Sequence, residues 1–276
     1  MSQGRRAFLH RSVAPRNSGR LWCVLCLVWT SLGWSEVPPP PAPPPPASAP
    51  TKHEDSPSHF LDLVAQETKA RWRQLYRQPQ MAPSTDRYRV SYTLGGLIAD
   101  SYLAMEAGDA QQFKNVNQDI VKYSGALGLS EKLKQRMLTV SKMAETEDWE
   151  GVRKQSVDNQ EAAEKMLVEQ RDQDLAELVS LGMWLRLLEV TSSVIVNDPS
   201  VKNKNLAIGS RPFLDELMSR FNRMSATARN ADSVAMIGNT IDLLQNHWNQ
   251  TPNADQGLVE LTNEKLNFLN SRMTVR

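Results

Sequence analysis

LAELVSLGMWLRLLEVTSSVIV, residues Leu175–Val196, is the stretch from which the rest of the chain is best understood. Wound as a helix it is apolar on nearly every side, and such a helix belongs in a large core or in a membrane. It is long enough to span, since a bilayer needs about 20 apolar residues. Three charges interrupt it: Glu177, Arg186 and Glu189. Each would add on the order of 2.5–3.5 kcal/mol at mid-bilayer. The preferred reading is therefore the central, buried helix of a water-soluble helical domain.

The chain has 276 residues and a formal net charge of +1, a length that suits one or two domains. The overall charge hides an asymmetry. Residues 1–34 hold Arg5, Arg6, Arg11, Arg16 and Arg20 and no acid. Of 32 basic residues 27 then remain against 31 acidic ones, so the rest of the chain is at −4. A mildly acidic body argues against nucleic acid as a partner, because phosphate recognition calls for a basic face. Both cysteines, Cys23 and Cys26, lie in the first segment. The remainder therefore has no disulfide, thiolate nucleophile or cysteine-held metal.

The N-terminus is basic up to Arg20, then apolar over Leu21–Leu32, then small, with Gly33 and Ser35 at the −3 and −1 positions of a cut before Glu36. This is the layout of a secretory signal peptide. We assign residues 1–35 to it, the alternative being an uncleaved anchor. Arg5-Arg6-Ala7-Phe8-Leu9-His10 resembles the twin-arginine export motif, with His10 where that motif has lysine. The long gap before the apolar run fits general secretion better. Cys23 and Cys26 have redox-motif spacing but read as small apolar residues of the signal core.

Residues 36–57 form a linker. Its Pro38–Pro50 tract, PPPPAPPPPASAP, suits an extended polyproline II spacer and carries Pro-x-x-Pro spacings. His53 and His59 flank its acidic end, too few ligands for a metal. A single all-helical domain is expected over residues 58–276. Helical spacing of apolar residues and capping signals mark helices from Pro57 or Ser58 to before Pro79, Asp86 to Gly108, and Asp109 to about Gly125. Others follow from Ser130 to about Ala144 and from Asp148 to the Arg171–Asp174 break. The Asp174/Glu177 pair resembles a capping box opening the central helix, which stops at Asn197-Asp198-Pro199. Ser200–Ser210 is polar and expected to be irregular. Three helices complete the chain, from Ser210, from Asp232 and from Ala254. Gly108-Asp109 has a faint echo about 39 residues on at Glu147-Asp148, a spacing used by stacked helix pairs.

The fold expected is all-α: an irregular antiparallel bundle of helical hairpins, with about 8–9 helices around the buried helix 175–196.

Motif chemistry is sparse. The sequence has no phosphate-binding glycine loop, no nucleophile elbow and no His-Glu-x-x-His pair. His247 is the one histidine well inside the folded part, so a catalytic triad would hang on it alone. The acids Glu145, Glu147, Asp148 and Glu150 suit a helix N-terminus better than a calcium loop. No cofactor and no metal are expected.

What stands out is polar and buried. Arg186 and Glu189 lie three apart on the central helix, within reach of each other. Gly182 precedes Arg186 by one turn, and Gly95-Gly96 precedes Asp100 on the second helix. We expect the two helices to cross closely at Gly95, Gly96 and Gly182. Asp100 would then pair with Arg186, Glu177 or Glu189 would complete the network, and Trp184 and Tyr102 would wall it. The plainer reading, which we favour because most charges avoid full burial, is an intrahelical Arg186–Glu189 pair reaching the surface. The function expected from these features is non-catalytic: an exported interaction or scaffold protein of the periplasm or cell envelope, with a protein partner not identified by sequence. The second reading is a small-ligand-binding protein using the Arg186 region, and an enzyme comes third.

Overall fold

The computed structural model describes residues 56–78, 82–250 and 253–274. The expected signal segment, most of the proline-rich linker and the two cysteines lie outside the described residues. Among those described the fold is all-α, with ten α-helices and no strand.

The helices are α1 (Pro57–Glu67), α2 (Arg87–Glu106), α3 (Ala110–Ala126), α4 (Ser130–Glu145), α5 (Trp149–Glu169), α6 (Gln173–Asn197), α7 (Arg211–Arg223), α8 (Ala226–Arg229), α9 (Asp232–Gln250) and α10 (Gln256–Met273). Most begin where a short polar side chain can accept from an unsatisfied first-turn N–H. Ser56, Asp86, Asp109, Asp148, Ser210, Ser225 and Asp255 each do so.

Four successive turns share one construction. Gly108, Gly128, Glu147 and Arg171 all have positive φ, between 58° and 81°. The next residue in each turn, Asp109, Leu129, Asp148 or Asp172, donates its N–H to a carbonyl five residues back, at 2.9–3.0 Å. This left-handed cap satisfies the end of one helix, and its last residue stands at the cap position of the following one. The 39-residue echo in the sequence is two of these turns, separated by a helical hairpin.

Such tight turns lay α2, α3, α4, α5 and α6 alternately up and down. With three helices between them, α2 and α6 run parallel. Arg87 meets Asp172 at 2.7 Å near their starts, and Asp100 meets Arg186 at 2.8 Å further along. The second half of the chain packs on the other sides of α6. There α10 lies against it, α9 against α10, and α7 against both α9 and α6. The helix is thereby enclosed: 89% of its apolar window is buried inside the fold. The bundle is antiparallel between sequence neighbours and parallel at its central seam.

The seam depends on two glycines. A Cβ on Gly182 would lie 2.1 Å from the Tyr92 carbonyl oxygen, and one on Gly95 would lie 2.0 Å from that of Val179. Backbone packs directly on backbone there. Gly96 does not take part in the crossing as expected. Its open side accommodates the Arg77 guanidinium, 2.9 Å from where a Cβ would be.

Several local expectations are corrected. The first helix stops at Glu67, not before Pro79. Thr68 is extended (φ −135°, ψ 165°) and its hydroxyl donates to the Val64 carbonyl at 2.7 Å, ending the helix. Trp72–Leu75 is a separate 3₁₀ turn. No proline or glycine marks this break. Ser130 is the first residue of α4, and Leu129 stands at its cap position without a side-chain bond. The Asp174/Glu177 capping box does not form. Asp174 accepts from the Ser225 N–H and hydroxyl at 2.7 and 2.6 Å, and α6 starts earlier, at Gln173. Ser200–Ser210 is more ordered than expected. It contains a 3₁₀ turn, Lys204–Ala207, and buries Val201, Ala207 and Ile208. The single-turn α8 was not foreseen.

Gly182→Ala should destabilise the fold by about 1–3 kcal/mol or more, because one methyl must push two backbones apart. Gly257→Ala, on an exposed first turn whose nearest contact is 3.5 Å away, should be close to neutral. Urea unfolding of both variants checks the contrast.

Candidate functional site

The α2–α6 seam carries the buried polar cluster. On α6, Arg186 and Glu189 project from one face, three residues apart. The Arg186 Nε donates to Asp100 Oδ1 at 2.8 Å, and its Nη1 lies 3.1 Å from Glu189 Oε2. Its Nη2 donates to the Leu75 carbonyl at 2.8 Å. The other Asp100 oxygen accepts from Arg77 Nε and Nη2 at 2.9 and 2.5 Å. Glu189 accepts from the Asn270 amide of α10. The Asn270 carbonyl oxygen in turn accepts from the Tyr92 hydroxyl at 2.8 Å.

Two cations and two anions therefore neutralise one another inside the fold. Side-chain exposure is 4% for Arg186, 7% for Glu189, 10% for Asp100 and 18% for Arg77. Burial alone would push the Asp100 carboxyl up. The guanidiniums of Arg186 and Arg77 more than reverse this and hold it below the usual carboxylate range. Burial also works against the Arg186 charge, and the Asp100 and Glu189 carboxylates outweigh it, raising its pKa above the ordinary arginine value. Both groups stay ionised through neutral pH. A proton-transfer catalyst is tuned the other way, towards exchange near its working pH. The cluster acts as a lock between α2, α6, α10 and the 3₁₀ turn.

Of the residues singled out in sequence, Asp100, Arg186 and Glu189 come together, and the rest go elsewhere. Glu177 takes no part. It bridges α6 to α7, with Arg223 at 2.7 Å and Arg220 at 3.4 Å. Trp184 and Tyr102 do not wall the cluster, because each lies two residues from a cluster member, about 200° round its helix. The Tyr102 hydroxyl is buried with no partner among the described residues. Burial, ahead of the charges of Arg153, Glu161 and Glu164, raises its pKa.

Three members were not foreseen: Arg77, Asn270 and Tyr92. Asn270 left a trace, standing between Leu266 and Met273 on the buried stripe of α10. Gly96 left another, since it supplies room that the helix crossing does not use. Nothing local marked Arg77 itself.

Two of the concave surfaces among the described residues bear on binding. Trp184 is the centre of an aromatic groove. Its ring meets Phe60 edge-on at 6.1 Å and 85° and Phe213 at 5.1 Å and 77°. With Leu63, Leu206 and Trp248 these rings line a volume of about 350 Å³ that contains no charged residue. The second is a polar hollow of about 310 Å³ over the Arg77–Asp100 pair, with Tyr76, Gln78, Gln112, Asn115, Gln118 and Asp119 around it. Burial, then the Asp109 carboxylate, pushes the Tyr76 phenol at its rim up to about 12. Among the described residues no group of three or more His, Cys, Asp or Glu side chains could hold a metal ion. No protein-family model, curated protein or solved structure matches the chain.

Arg186→Met leaves the buried Glu189 carboxylate without a cation and Asp100 with Arg77 alone, and should cost about 3–5 kcal/mol. Arg77→Met, at the wetter edge, should cost less. The acid dependence follows from the depressed Asp100 pKa. Its stabilisation is fully present above the ordinary value of 3.8 and is lost as pH falls through the lower folded value. The stability gap between the wild type and Asp100→Asn, widest near neutral pH, should narrow below pH 3.8. Denaturant melts over an acid pH series measure this gap.

Proposed function

We propose that this chain is an exported, non-catalytic interaction or scaffold protein of the periplasm or cell envelope. Its signal-like N-terminus directs it out of the cytoplasm, and it binds its partner through the aromatic groove. The observation that carries this reading is the groove's chemistry. Four large rings from α1, α6, α7 and α9 face a volume with no charge. Aromatic side chains around a desolvated pocket are what protein interfaces use as anchors. The buried charges of the seam support the same reading: Arg77, Asp100, Arg186 and Glu189 are paired with one another and hold helices together.

A second reading, the binding of a small polar ligand, has one specific observation in its favour. The polar hollow opens directly onto Arg77, whose guanidinium could meet an anionic group there. An enzyme remains the third reading, since among the described residues no group of three or more His, Cys, Asp or Glu side chains could hold a metal ion.

Native mass spectrometry of the protein isolated from its own envelope separates these readings. The expected species is the chain carrying a second polypeptide, lost in Trp248→Ala and kept in Arg77→Met. A bare wild-type chain overturns the proposal. So does a retained small molecule released by Arg77→Met, which would transfer the function to the polar hollow.

A further inference from the structure

We propose that the core between α2, α3, α4 and α5 is the binding site of one buried water molecule, which joins the four helices through a single hydrogen-bond network. The site shares no residue with the aromatic groove and is independent of what that groove binds.

The site is a cavity of about 20 Å³ whose lining residues are all buried except Gln160. One water needs about 10–15 Å³ of such space, so the cavity takes one and is too small for an organic ligand. Apolar cavities stay dry, whereas polar ones take up water. The side given by α4, with Leu133, Met137 and Val140, is apolar. The facing side is polar: Ser101 of α2, Asn117 of α3, and Ser156, Asn159 and Gln160 of α5. These groups do not satisfy one another. Asn159 is 3% exposed. Its Oδ1 accepts from Gln155 Nε2 at 3.0 Å and from Arg136 Nη1 of α4 at 3.4 Å. That leaves the amide nitrogen, Nδ2, which is buried and has no partner among the described residues. Buried amide N–H groups in folded proteins nearly always have one.

Acceptors for the same water stand on the other helices. The Ser101 hydroxyl donates to the Ile98 carbonyl at 2.7 Å and keeps its lone pairs. Asn117 donates its Nδ2 to Ser141 Oγ of α4 at 3.1 Å, leaving its Oδ1 to accept. A water that accepts from Asn159 and donates to Ser101 and Asn117 makes the three bonds usual for a buried water. The resulting path runs from Arg136 through Asn159 and the water to Asn117 and Ser141. It starts and ends on α4, passes through α5 and α3, and takes in α2 at Ser101. The α2–α6 seam joins its polar groups by direct contact. Here the same task falls to a bound molecule.

The test uses the full chain, deuterated and labelled with nitrogen-15, and the probe is water itself. Water-selective NOE and ROE spectra should show cross-peaks from water to the two Asn159 side-chain amide protons. The NOE and ROE should have opposite signs, as for a water that tumbles with the protein. Ser156→Ala removes a nearby hydroxyl whose proton exchange could imitate such a cross-peak, and the signal should survive it. Oxygen-17 relaxation dispersion counts long-lived waters. Asn159→Leu, which puts carbon in place of the amide, should remove one of them, and Gly257→Ala should remove none. Asn159 amide protons without a cross-peak to long-lived water overturn the proposal, and that measurement needs no variant to fold. A cross-peak lost in Ser156→Ala overturns it too. So does equal dispersion in the wild type and in an Asn159→Leu chain whose helical circular dichroism is unchanged.

Discussion

The backbones of α2 and α6 touch, and much of the molecule follows from that contact. Where Gly182 meets the Tyr92 carbonyl and Gly95 meets that of Val179, no side chain separates the two helices. The approach brings Asp100 within 2.8 Å of Arg186 while both are almost wholly out of water. A pair of charges so deeply dehydrated is tolerated only with good geometry and with the remaining hydrogen-bonding groups satisfied. The Leu75 carbonyl, Arg77, Glu189, Asn270 and Tyr92 meet that demand. Leu75 and Arg77 come from the 3₁₀ turn and the residues just after it and Asn270 from α10, so the demand for partners ties both to the seam.

Such a network contributes more to uniqueness than to stability. Apolar residues of similar size can often replace a buried ion pair without loss. A one-turn slip of α6 along α2 would be different: it would part Arg186 from Asp100 and from the Leu75 carbonyl while all three stay buried. Leucines and valines along α6 would accept that slip at little cost, since the helix is apolar on almost every side. The charges are what make the alternatives expensive.

The parts of this fold legible in sequence were those with local causes. Asp86, Asp109, Asp148 and Ser210 announce helix starts because capping involves only the next three residues. The Asp100–Arg186 pairing left a local sign, since each residue interrupts an apolar face one turn after a glycine, while the tendency of charges to avoid burial pointed to a surface pair instead. The end of α1 was illegible, since Thr68–Arg71 contains no strong breaker. The 3₁₀ turn that follows it carries the carbonyl that Arg186 uses from 111 positions away and leads into Arg77, which meets Asp100 across 23 positions. Trp184 and Tyr102 are each two residues from a member of the lock, and two residues along a helix is about 200° around it, so nearness in sequence does not bring them to the cluster. The groove was hidden for a similar reason: its rings come from four helices spread from Phe60 to Trp248, and no local pattern unites them.

The four alike turns bear on the order in which the molecule assembles. Each joins helices adjacent in sequence, so every hairpin from α2 to α6 can gather from nearby contacts, the kind that form fastest. Asp100 and Arg186 are 86 positions apart and cannot meet until three intervening helices have carried the chain back. Loop closure places that encounter late. During assembly the charges therefore remain hydrated, and they are stripped of water only as their partners arrive. The most expensive groups in the core are buried at the step when the means of neutralising them is already in place.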